Sequence, residues 1–231
     1  MLTIHNLQKI YNGTTVVNIP ELTIKAGESV GLVGNNGAGK TTLFRMILDL
    51  IRPSKGEVFS KGIGVMESGD WKSYTGSYLD EGFLIDYLTT EEYFKFIGDL
   101  HGLSGGDVAE RLAPFTDLFN GEILGQRKYI RDFSKGNQKK IGVAAAVLSN
   151  PELLVLDEPF ANLDPSSQIR LKNLLKTLRE QKNMTMLISS HDLSHVIDVC
   201  ERIVILEKGQ LVQDMVTNEN TLRELETYFT V

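Results

Sequence analysis

Apolar residues follow two kinds of spacing along the chain, one typical of strands and one typical of helices. The order of these segments predicts the class of fold. Short stretches with strand-like alternation occupy residues 1–33, separated by turn residues such as Asn12 and Gly13. Beyond residue 40, segments with helical spacing alternate with continuous apolar runs typical of strands buried on both faces. The helices are predicted at 40–50, at 165–181, from Asp192 and at 219–229, and the strands at 152–157, 184–189, 202–206 and 211–215. Such alternation predicts a mostly parallel α/β sheet.

A run of helices without intervening strands interrupts this pattern. These helices are predicted to begin at Thr90, at Asp107 and at residue 136, and the first presents Tyr93, Phe94, Ile97 and Leu100 on one side. We expect one domain over residues 1–231, in which approximately 1–87 and 150–231 form the core with a strand-rich subdomain. Approximately 88–149 are expected to form a helical insertion.

Composition is that of an ordinary soluble protein with an acidic balance. Apolar residues form 42% of the 231 residues and charged residues 23%, and the formal net charge is −6. An acidic chain is repelled by a phosphate backbone, so we expect no nucleic-acid partner. The single cysteine, Cys200, excludes an intrachain disulfide and fits a reducing compartment. No secretory leader opens the sequence and no apolar run approaches the ~20 residues that cross a bilayer, so we expect a cytoplasmic protein.

The strongest local motif is GNNGAGKTT, which fits G-x-x-x-x-G-K-[ST] and lies between a predicted strand and a predicted helix. Glycines in such a loop turn several backbone N–H groups toward one point, and the following helix adds its positive N-terminus, so the loop suits a phosphate. Lys40 is placed to supply a charge between the β- and γ-phosphates, and Thr41 a hydroxyl for Mg²⁺. The predicted phosphate-binding residues are Gly34, Asn35, Asn36, Gly37, Ala38, Gly39, Lys40, Thr41 and Thr42.

A second motif, LLVLDEP, places two acids at the end of a predicted buried strand. Asp157 is placed to bind Mg²⁺, and Glu158 to orient or deprotonate an attacking water. Two adjacent acids at a strand end also serve as a helix cap or a solvated edge. The phosphate loop upstream favours the catalytic interpretation.

With these motifs in order, the sequence resembles the ATP-binding cassette (ABC) ATPases over essentially its whole length. GNNGAGKT matches the Walker A motif, LLVLDEP the Walker B motif with the glutamate that follows it, and ANLD at 161–164 the D-loop. His191 falls at the switch histidine, and Tyr11 at the aromatic that stacks on adenine. The resemblance implies an α/β fold: a P-loop NTPase (RecA-like) core with an N-terminal antiparallel β-subdomain and an inserted α-helical subdomain. It also implies ATP and Mg²⁺ as cofactors, and Lys40, Glu158 and His191 as the catalytic residues.

Two stretches compete for the family's signature motif, which begins a helix shortly before the Walker B acids. LSGGD has the familiar letters, but its Ser104 lies 53 residues before Asp157. FSKGN departs from the common letters, but its Ser134 lies only 23 residues before Asp157. We therefore interpret LSGGD as a link of turn and cap residues between two helices, and FSKGN as the signature. The family then implies that Ser134, Gly136 and Asn137 contact the γ-phosphate bound to the other copy of a head-to-tail dimer.

The loop that carries a glutamine in the family departs from that pattern here. Counting back from Leu88 at the family's spacing gives Asp80, with Glu81 beside it. A carboxylate can replace the amide as a ligand of Mg²⁺ or water, so Asp80 is predicted near the metal. Both acids are otherwise ordinary solvated loop residues, and the sequence leaves open which of them fills the role.

These motifs predict the ATP-hydrolysing subunit of an ABC transporter, peripheral on the inner face of the cell membrane. The resemblance implies a homodimer, or a heterodimer with a second cassette, that drives a separate membrane-spanning subunit. The lysine-containing signature FSKGN resembles the signature motifs of small ABC subunits that serve separate membrane proteins, many of them exporters. One alternative is a soluble ABC ATPase of DNA repair or translation, which would carry a coiled-coil insertion or two cassettes. Another is a regulatory cassette with little turnover, which the intact Glu158 and His191 disfavour.

Aromatic side chains cluster between Val65 and Leu103, around the atypical loop. They are too numerous for a solvated loop, and an exposed apolar patch often marks an interface. We expect part of this region to dock a cytoplasmic helix of the membrane subunit and the rest to pack into the helical insertion. The cluster consists of the aromatic residues Trp71, Tyr74, Tyr78, Phe83 and Tyr87, together with Leu84.

Overall fold

A computed structural model describes residues 1–218 of the chain, together with Thr221 and Leu225. Apart from these two residues, the helix predicted at 219–229 lies outside the described residues. The described strands are β1 (Leu2–Tyr11), β2 (Thr14–Ile24), β3 (Ser29–Val33), β4 (Lys55–Ser60), β5 (Ile63–Gly64), β6 (Thr75–Tyr78), β7 (Leu153–Leu156), β8 (Thr185–Ser190), β9 (Arg202–Glu207) and β10 (Gln210–Val216). The described α-helices are α1 (Lys40–Ile47), α2 (Thr90–Leu100), α3 (Gly105–Leu112), α4 (Thr116–Phe119), α5 (Lys135–Leu148), α6 (Pro165–Lys182) and α7 (Leu193–Ile197).

The first sheet is antiparallel and has the strand order β2-β1-β4-β5. The pattern within residues 1–33 predicts TVVNI at 15–19 and ELTIK at 21–25 as two separate strands, but β2 runs unbroken through Pro20. Proline has no N–H to donate to a neighbouring strand, and β2 tolerates it because it lies at the edge of this sheet. The turn between β9 and β10 joins this sheet to the phosphate loop: Asn18 N donates to Gly209 O at 2.7 Å, and Gly209 N donates to Ala38 O at 2.9 Å.

The second sheet has the order β10-β9-β3-β8-β7-β6 and is parallel except for the edge strand β10. Successive residues of its central strands face two separate cores. In β7, Leu153 and Val155 pack with α1 and the first sheet, whereas Leu154 and Leu156 pack with α5, α6 and α7. Burial on both faces explains why the central strands read as continuous apolar runs.

The helical segment between β6 and β7 begins as predicted, with α2 starting at Thr90. Two details of the prediction were wrong. Leu100 is 66% exposed and does not join the buried face formed by Tyr93 and Phe94. The next helix, α3, begins at Gly105 rather than at Asp107, because Ser104 caps its N-terminus.

Helix α5 is the most deeply placed helix of this segment. Its described side chains from Gln138 to Leu148 are all buried, because it packs against β6 on one side and against α2, α3 and α4 on the others. The small side chains of the alanines at 144–146 allow neighbouring elements to pack close to the axis of this helix. An antiparallel sheet, a mostly parallel sheet and helices inserted between β6 and β7 together confirm the predicted class of fold.

Two phenylalanines of α2 provide a test of this packing. Phe94 is almost fully buried, whereas Phe96 is 41% exposed. We expect Phe94→Ala to lower the free energy of unfolding by about 3–5 kcal/mol, through lost burial and a residual cavity. Phe96→Ala should lower it by about 1 kcal/mol or less. Urea unfolding of both variants measures the difference, and equal losses would contradict the described orientation of α2.

Candidate active site

Three parallel strands end at the same edge of the second sheet, and each is followed by part of the candidate site. β3 leads into the phosphate loop, β7 into Asp157 and Glu158, and β8 into His191. Because β8 pairs in parallel with both β3 and β7, the carboxyl ends of all three strands meet. Residues from distant parts of the sequence are thereby collected at one place.

The phosphate loop wraps around the side chain of Lys40. Its Nζ donates to the backbone oxygens of Gly34 at 2.6 Å and Asn35 at 3.4 Å. Gly39 has a φ of 106°, and a Cβ there would lie 2.8 Å from Val16 O, so only glycine fits. The loop and the start of α1 enclose a cavity of about 220 Å³, lined by Val16, Asn36, Gly37, Ala38, Gly39, Lys40, Thr41, Thr42 and Glu158. Val16, on β2, was not predicted from the sequence.

The carboxylate of Glu158 lies between Lys40 and His191. Its Oε1 is 3.3 Å from Nζ of Lys40, and its Oε2 is 2.8 Å from Nδ1 of His191. An ionised carboxylate can only accept, so His191 donates through Nδ1. The backbone N of His191 donates to the same Oε2 at 3.3 Å. A carboxylate fixed in this way on the cavity wall is positioned to accept a proton from water.

Asp157 is buried beside Glu158 and is held by two hydroxyl groups. Thr41 Oγ1 donates to Oδ2 at 2.5 Å, and Ser189 Oγ donates to Oδ1. Burial raises the pKa of Asp157 above its ordinary value, and both hydrogen bonds oppose that rise. Asp157 and Thr41 together present a carboxylate and a hydroxyl oxygen at the mouth of the loop.

The backbone of Glu158 adopts a left-handed conformation, with a φ of 48°. Such a conformation in a residue other than glycine costs about 1–3 kcal/mol and persists only where the surroundings enforce it. The N–H of Glu158 donates to Ser189 Oγ at 2.9 Å, and its carbonyl accepts from Nζ of Lys139 at 2.8 Å. The surrounding side chains therefore fix the peptide groups on both sides of the acid.

Sequence reasoning missed both of these supporting residues. Ser189 lies one residue before the end of β8, the strand that pairs with β7, so strand pairing was the signal for it. Lys139 gave no such signal, because a lysine in the stretch NQKK resembles a surface charge. In the structure Lys139 is almost fully buried, and burial lowers the pKa of its ammonium group, opposed chiefly by Glu81 and Glu158.

The residues of the predicted signature lie at the N-terminus of α5. Ser134 is the N-cap, and its Oγ accepts from the backbone N of Asn137 at 3.2 Å. A Cβ on Gly136 would lie 2.8 Å from the backbone oxygen of Asn162, so the helix begins directly against the D-loop. The side-chain amide of Asn137 donates to Glu122 at 3.2 Å. Among the described residues, this group is not part of the lining of the phosphate-loop cavity.

The competing stretch, LSGGD, caps the N-terminus of α3. Ser104 and Asp107 form a capping box, in which the Asp107 carboxylate accepts from Ser104 N at 2.8 Å and from Ser104 Oγ at 2.6 Å. That carboxylate neutralises the positive end of α3 and would repel a phosphate. The first turn of α5 has no acid and carries Lys135 instead. Ser104 and Asp107 therefore act as cap residues, as predicted, but Gly105, Gly106 and Asp107 lie in the first turn of α3 rather than in a link before it.

Two further predicted residues, Tyr11 and Asp80, are not part of the described lining of the phosphate-loop cavity. Tyr11 ends β1 and is half exposed, and Nζ of Lys9 lies 4.9 Å from the centre of its ring. The carboxylate of Asp80 accepts from Gly82 N at 2.8 Å and lies 3.6 Å from the guanidinium of Arg45. Of the two acids in that loop, it is Glu81 that faces Lys139.

Comparison with known proteins agrees with this architecture. The family model of ABC transporters matches residues 17–161. An uncharacterized ABC transporter ATP-binding protein of Synechocystis sp. is 34% identical over 83% of this chain and 54% of its own length. The bacitracin transport ATP-binding protein BcrA of Enterococcus faecalis is 34% identical over 93% of this chain and 68% of its own length. The chain thus spans only a little over half the length of the first of these relatives.

A solved structure shows the same fold. It is a dimeric ATP-binding cassette in a post-hydrolysis state, bound to ADP and phosphate, and it is 25% identical to this chain with a TM-score of 0.82. The similarity covers 94% of this chain and 99% of that one. Since the matched family segment also spans more than half of the chain and contains the phosphate loop and both strand-end acids, this protein belongs to the ABC transporter family of ATP-binding proteins.

Proposed function

We propose that this chain binds ATP with Mg²⁺ and hydrolyses it, with Glu158 as the general base. The observation that carries the proposal is the placement of the Glu158 carboxylate, held between Lys40 and His191 on the wall of the phosphate-loop cavity. The carboxylate takes the proton of the attacking water, and the imidazole of His191 keeps it aimed. Lys40 and the loop N–H groups stabilise charge on the transferred phosphoryl group. Tyr11 is proposed to stack on the adenine.

Thr41 and Asp157 fit a Mg²⁺ ion. Their oxygens are the hard donors that this cation prefers, and the 2.5 Å hydrogen bond between them places both at the phosphate loop. When bound, the ion neutralises charge on the β- and γ-phosphates. Asp80 stays a prediction as a further ligand, since its carboxylate already contacts Gly82 and Arg45.

The N-terminus of α5 is proposed to act on a second copy of the chain or on a related cassette. Ser134, Gly136 and Asn137 would contact the γ-phosphate bound across a head-to-tail interface. The first turn of α5 supports this role, because it combines helix-end N–H groups, a hydroxyl and the cation Lys135, and none of its own residues is acidic. The nearby carboxylate is that of Glu122, which accepts from the side-chain amide of Asn137 at 3.2 Å. The dimeric state of the similar cassette bound to ADP and phosphate also supports it.

A separate membrane-spanning subunit completes the proposed assembly. The relative from Enterococcus is named for bacitracin transport, and the lysine in the signature favours an exporter. In this assembly the chain lies on the inner face of the cell membrane and is held there by its partner.

The described residues include no helix with the length and apolar character that crossing a membrane requires.

The proposed docking surface lies where the β6 end of the second sheet meets α2 and α5. Phe83 and Tyr87 are 52% and 63% exposed, whereas Trp71 and Tyr78 are buried in the core. The aromatic cluster predicted from the sequence is thus divided between packing and surface. The groove beside Phe83 has a volume of about 390 Å³, and its wall includes Leu50, Phe83, Leu84, Ile97 and His101. An apolar groove of this kind suits one face of an amphipathic helix.

Replacement of the general base is the first test. Glu158→Gln keeps the shape of the side chain but cannot accept a proton, so we expect ATPase turnover to fall by about 10²-fold or more while ATP binding persists. Glu152→Gln, at the opposite end of β7, changes an exposed carboxylate paired with Lys61 and serves as the matched control. Steady-state turnover near the wild-type value in Glu158→Gln would exclude this acid as the base.

The two serine motifs provide a second test. Ser134→Arg should abolish ATP-dependent dimerisation and turnover but leave nucleotide binding by the monomer intact, because the change lies outside the phosphate-loop cavity. Ser104→Arg alters only the capped start of α3 and should retain both activities. Light scattering and ATPase rates distinguish the two variants, and exchanged phenotypes would reverse the assignment of the signature.

Docking is tested at the exposed aromatics. Phe83→Ala and Tyr87→Ala should each weaken recovery of the membrane subunit from detergent extract, because a buried aromatic anchor contributes about 2 kcal/mol or more to binding. The ATPase rate of the isolated subunit should stay within about threefold of wild type. Ile169→Ala, on the exposed face of α6, is the control. Full partner recovery with both aromatic variants would place docking elsewhere.

A further inference from the structure

Lys139 is a buried charged residue for which the proposed mechanism has no role. It lies in the second turn of α5, the helix capped by Ser134, and its side chain is almost completely shielded from solvent. A buried ammonium group needs partners for its three donors. Nζ of Lys139 donates to the backbone oxygen of Glu158 at 2.8 Å, lies 3.9 Å from the Glu81 carboxylate, and lies 6.0 Å from the centre of the Tyr78 ring.

The carbonyl that accepts from Lys139 is that of Glu158, the proposed general base. The backbone conformation of this residue determines the direction of its own carboxylate. Glu158 has a φ of 48°, and its N–H is already fixed by Ser189. The carbonyl accepts from Nζ of Lys139 at 2.8 Å and also from the backbone N of Ala161, at the longer distance of 3.3 Å. Loss of the shorter of these two bonds weakens the restraint on the left-handed conformation. Relaxation toward the right-handed region would turn the Cα–Cβ bond away from Lys40 and His191.

Glu81 in turn offers the ammonium group an opposite charge, with its carboxylate 3.9 Å from Nζ. Its Oε1 accepts from the Tyr78 hydroxyl at 3.0 Å and faces Lys139, and the carboxylate is mostly buried. The next residues of this loop, Gly82 and Phe83, lead to the proposed docking surface. A short polar path therefore runs from that loop through Lys139 to the main chain of the base.

We propose that Lys139 is a positioning residue for Glu158: its ammonium group, anchored by Glu81, holds the Glu158 main chain in the left-handed conformation that aims the carboxylate into the phosphate-loop cavity. This role rests on the proposed function of Glu158 as general base. Lys139 itself touches neither the substrate nor the transferred proton.

Lys139→Met removes the ammonium group and keeps an unbranched side chain of similar length. We expect kcat to fall by about 10- to 100-fold, because a misplaced catalytic group loses that much rate. The KM for ATP should stay within about threefold of wild type, since the groups that bind phosphate are unchanged. Steady-state ATPase assays with ATP and Mg²⁺, together with titration of a fluorescent ATP analogue, separate the two effects.

Lys172→Met is the matched control. The Lys172 ammonium group also contacts a carboxylate, that of Asp198 at 2.8 Å, and a backbone oxygen, that of Ser194 at 3.5 Å. Ser194 belongs to α7 and Asp198 is the C-cap of that helix, so this contact joins α6 to α7 and does not involve Glu158. The control variant should keep the wild-type kcat.

Glu81→Gln supplies a second, gentler variant. It retains an oxygen that accepts from Tyr78 but removes the charge that anchors Lys139. We expect kcat to fall at least about twofold, and the double variant with Lys139→Met to fall no further than Lys139→Met alone, because both changes act through one carbonyl.

The outcomes separate this role from the function on which it rests. Wild-type kcat in Lys139→Met, with Glu158→Gln inactive, overturns the positioning role and leaves ATP hydrolysis by Glu158 standing. A raised KM with unchanged kcat overturns it too. Full turnover in Glu158→Gln overturns both proposals. Should thermal melting show Lys139→Met to be unfolded, unchanged kcat in Glu81→Gln overturns the positioning role.

Discussion

Parallel pairing of β8 with β3 on one side and β7 on the other determines where the phosphate loop, the two acids and His191 lie. Thr41 and Asp157 are 116 residues apart in sequence, yet their side chains meet at 2.5 Å because the strands before them end at the same edge. Neither residue needs to be carried there by a long loop. The two cores on the faces of the sheet keep these strands in register, so the apolar packing of Leu154 and Val155 bears directly on the placement of the acids.

Three charged side chains are buried around this edge, and each is surrounded by polar partners. Burying an unpaired charge costs several kcal/mol, so such groups persist only where hydrogen bonds and opposite charges offset that cost. Lys40 has two loop carbonyls and Glu158, Asp157 has two hydroxyls, and Lys139 has a carbonyl and Glu81. Because their partners hold these groups in place, they are already oriented toward the charge that develops during a reaction. Such preorganisation favours catalysis, since the groups need not reorient as the reaction proceeds.

Much of the fold and part of the site could be predicted from the sequence, because they depend on local patterns. The run LLVLD reads as a buried strand, and GNNGAGKTT as a loop that bends only with glycine at defined positions. Features that depend on tertiary neighbours could not be predicted. β2 passes through Pro20 because it is the edge strand of its sheet. Leu100 follows the helical period of α2, yet it is exposed at the last turn of that helix. Lys139 is buried because strands and helices from several parts of the chain surround α5, which no single stretch of sequence reveals.

Helix α5 joins the two halves of the proposed mechanism in one rigid body. Ser134 at its N-terminus and Lys139 farther along are about 7.5 Å apart along the axis, at the 1.5 Å rise of an α-helix. The first faces the proposed partner cassette, and the second holds the main chain of Glu158. A Cβ at position 136 would lie 2.8 Å from the backbone oxygen of Asn162, so the approach of α5 to the D-loop depends on this glycine. A displacement of α5 on dimer formation would therefore move the phosphate-facing serine and the support of the base together.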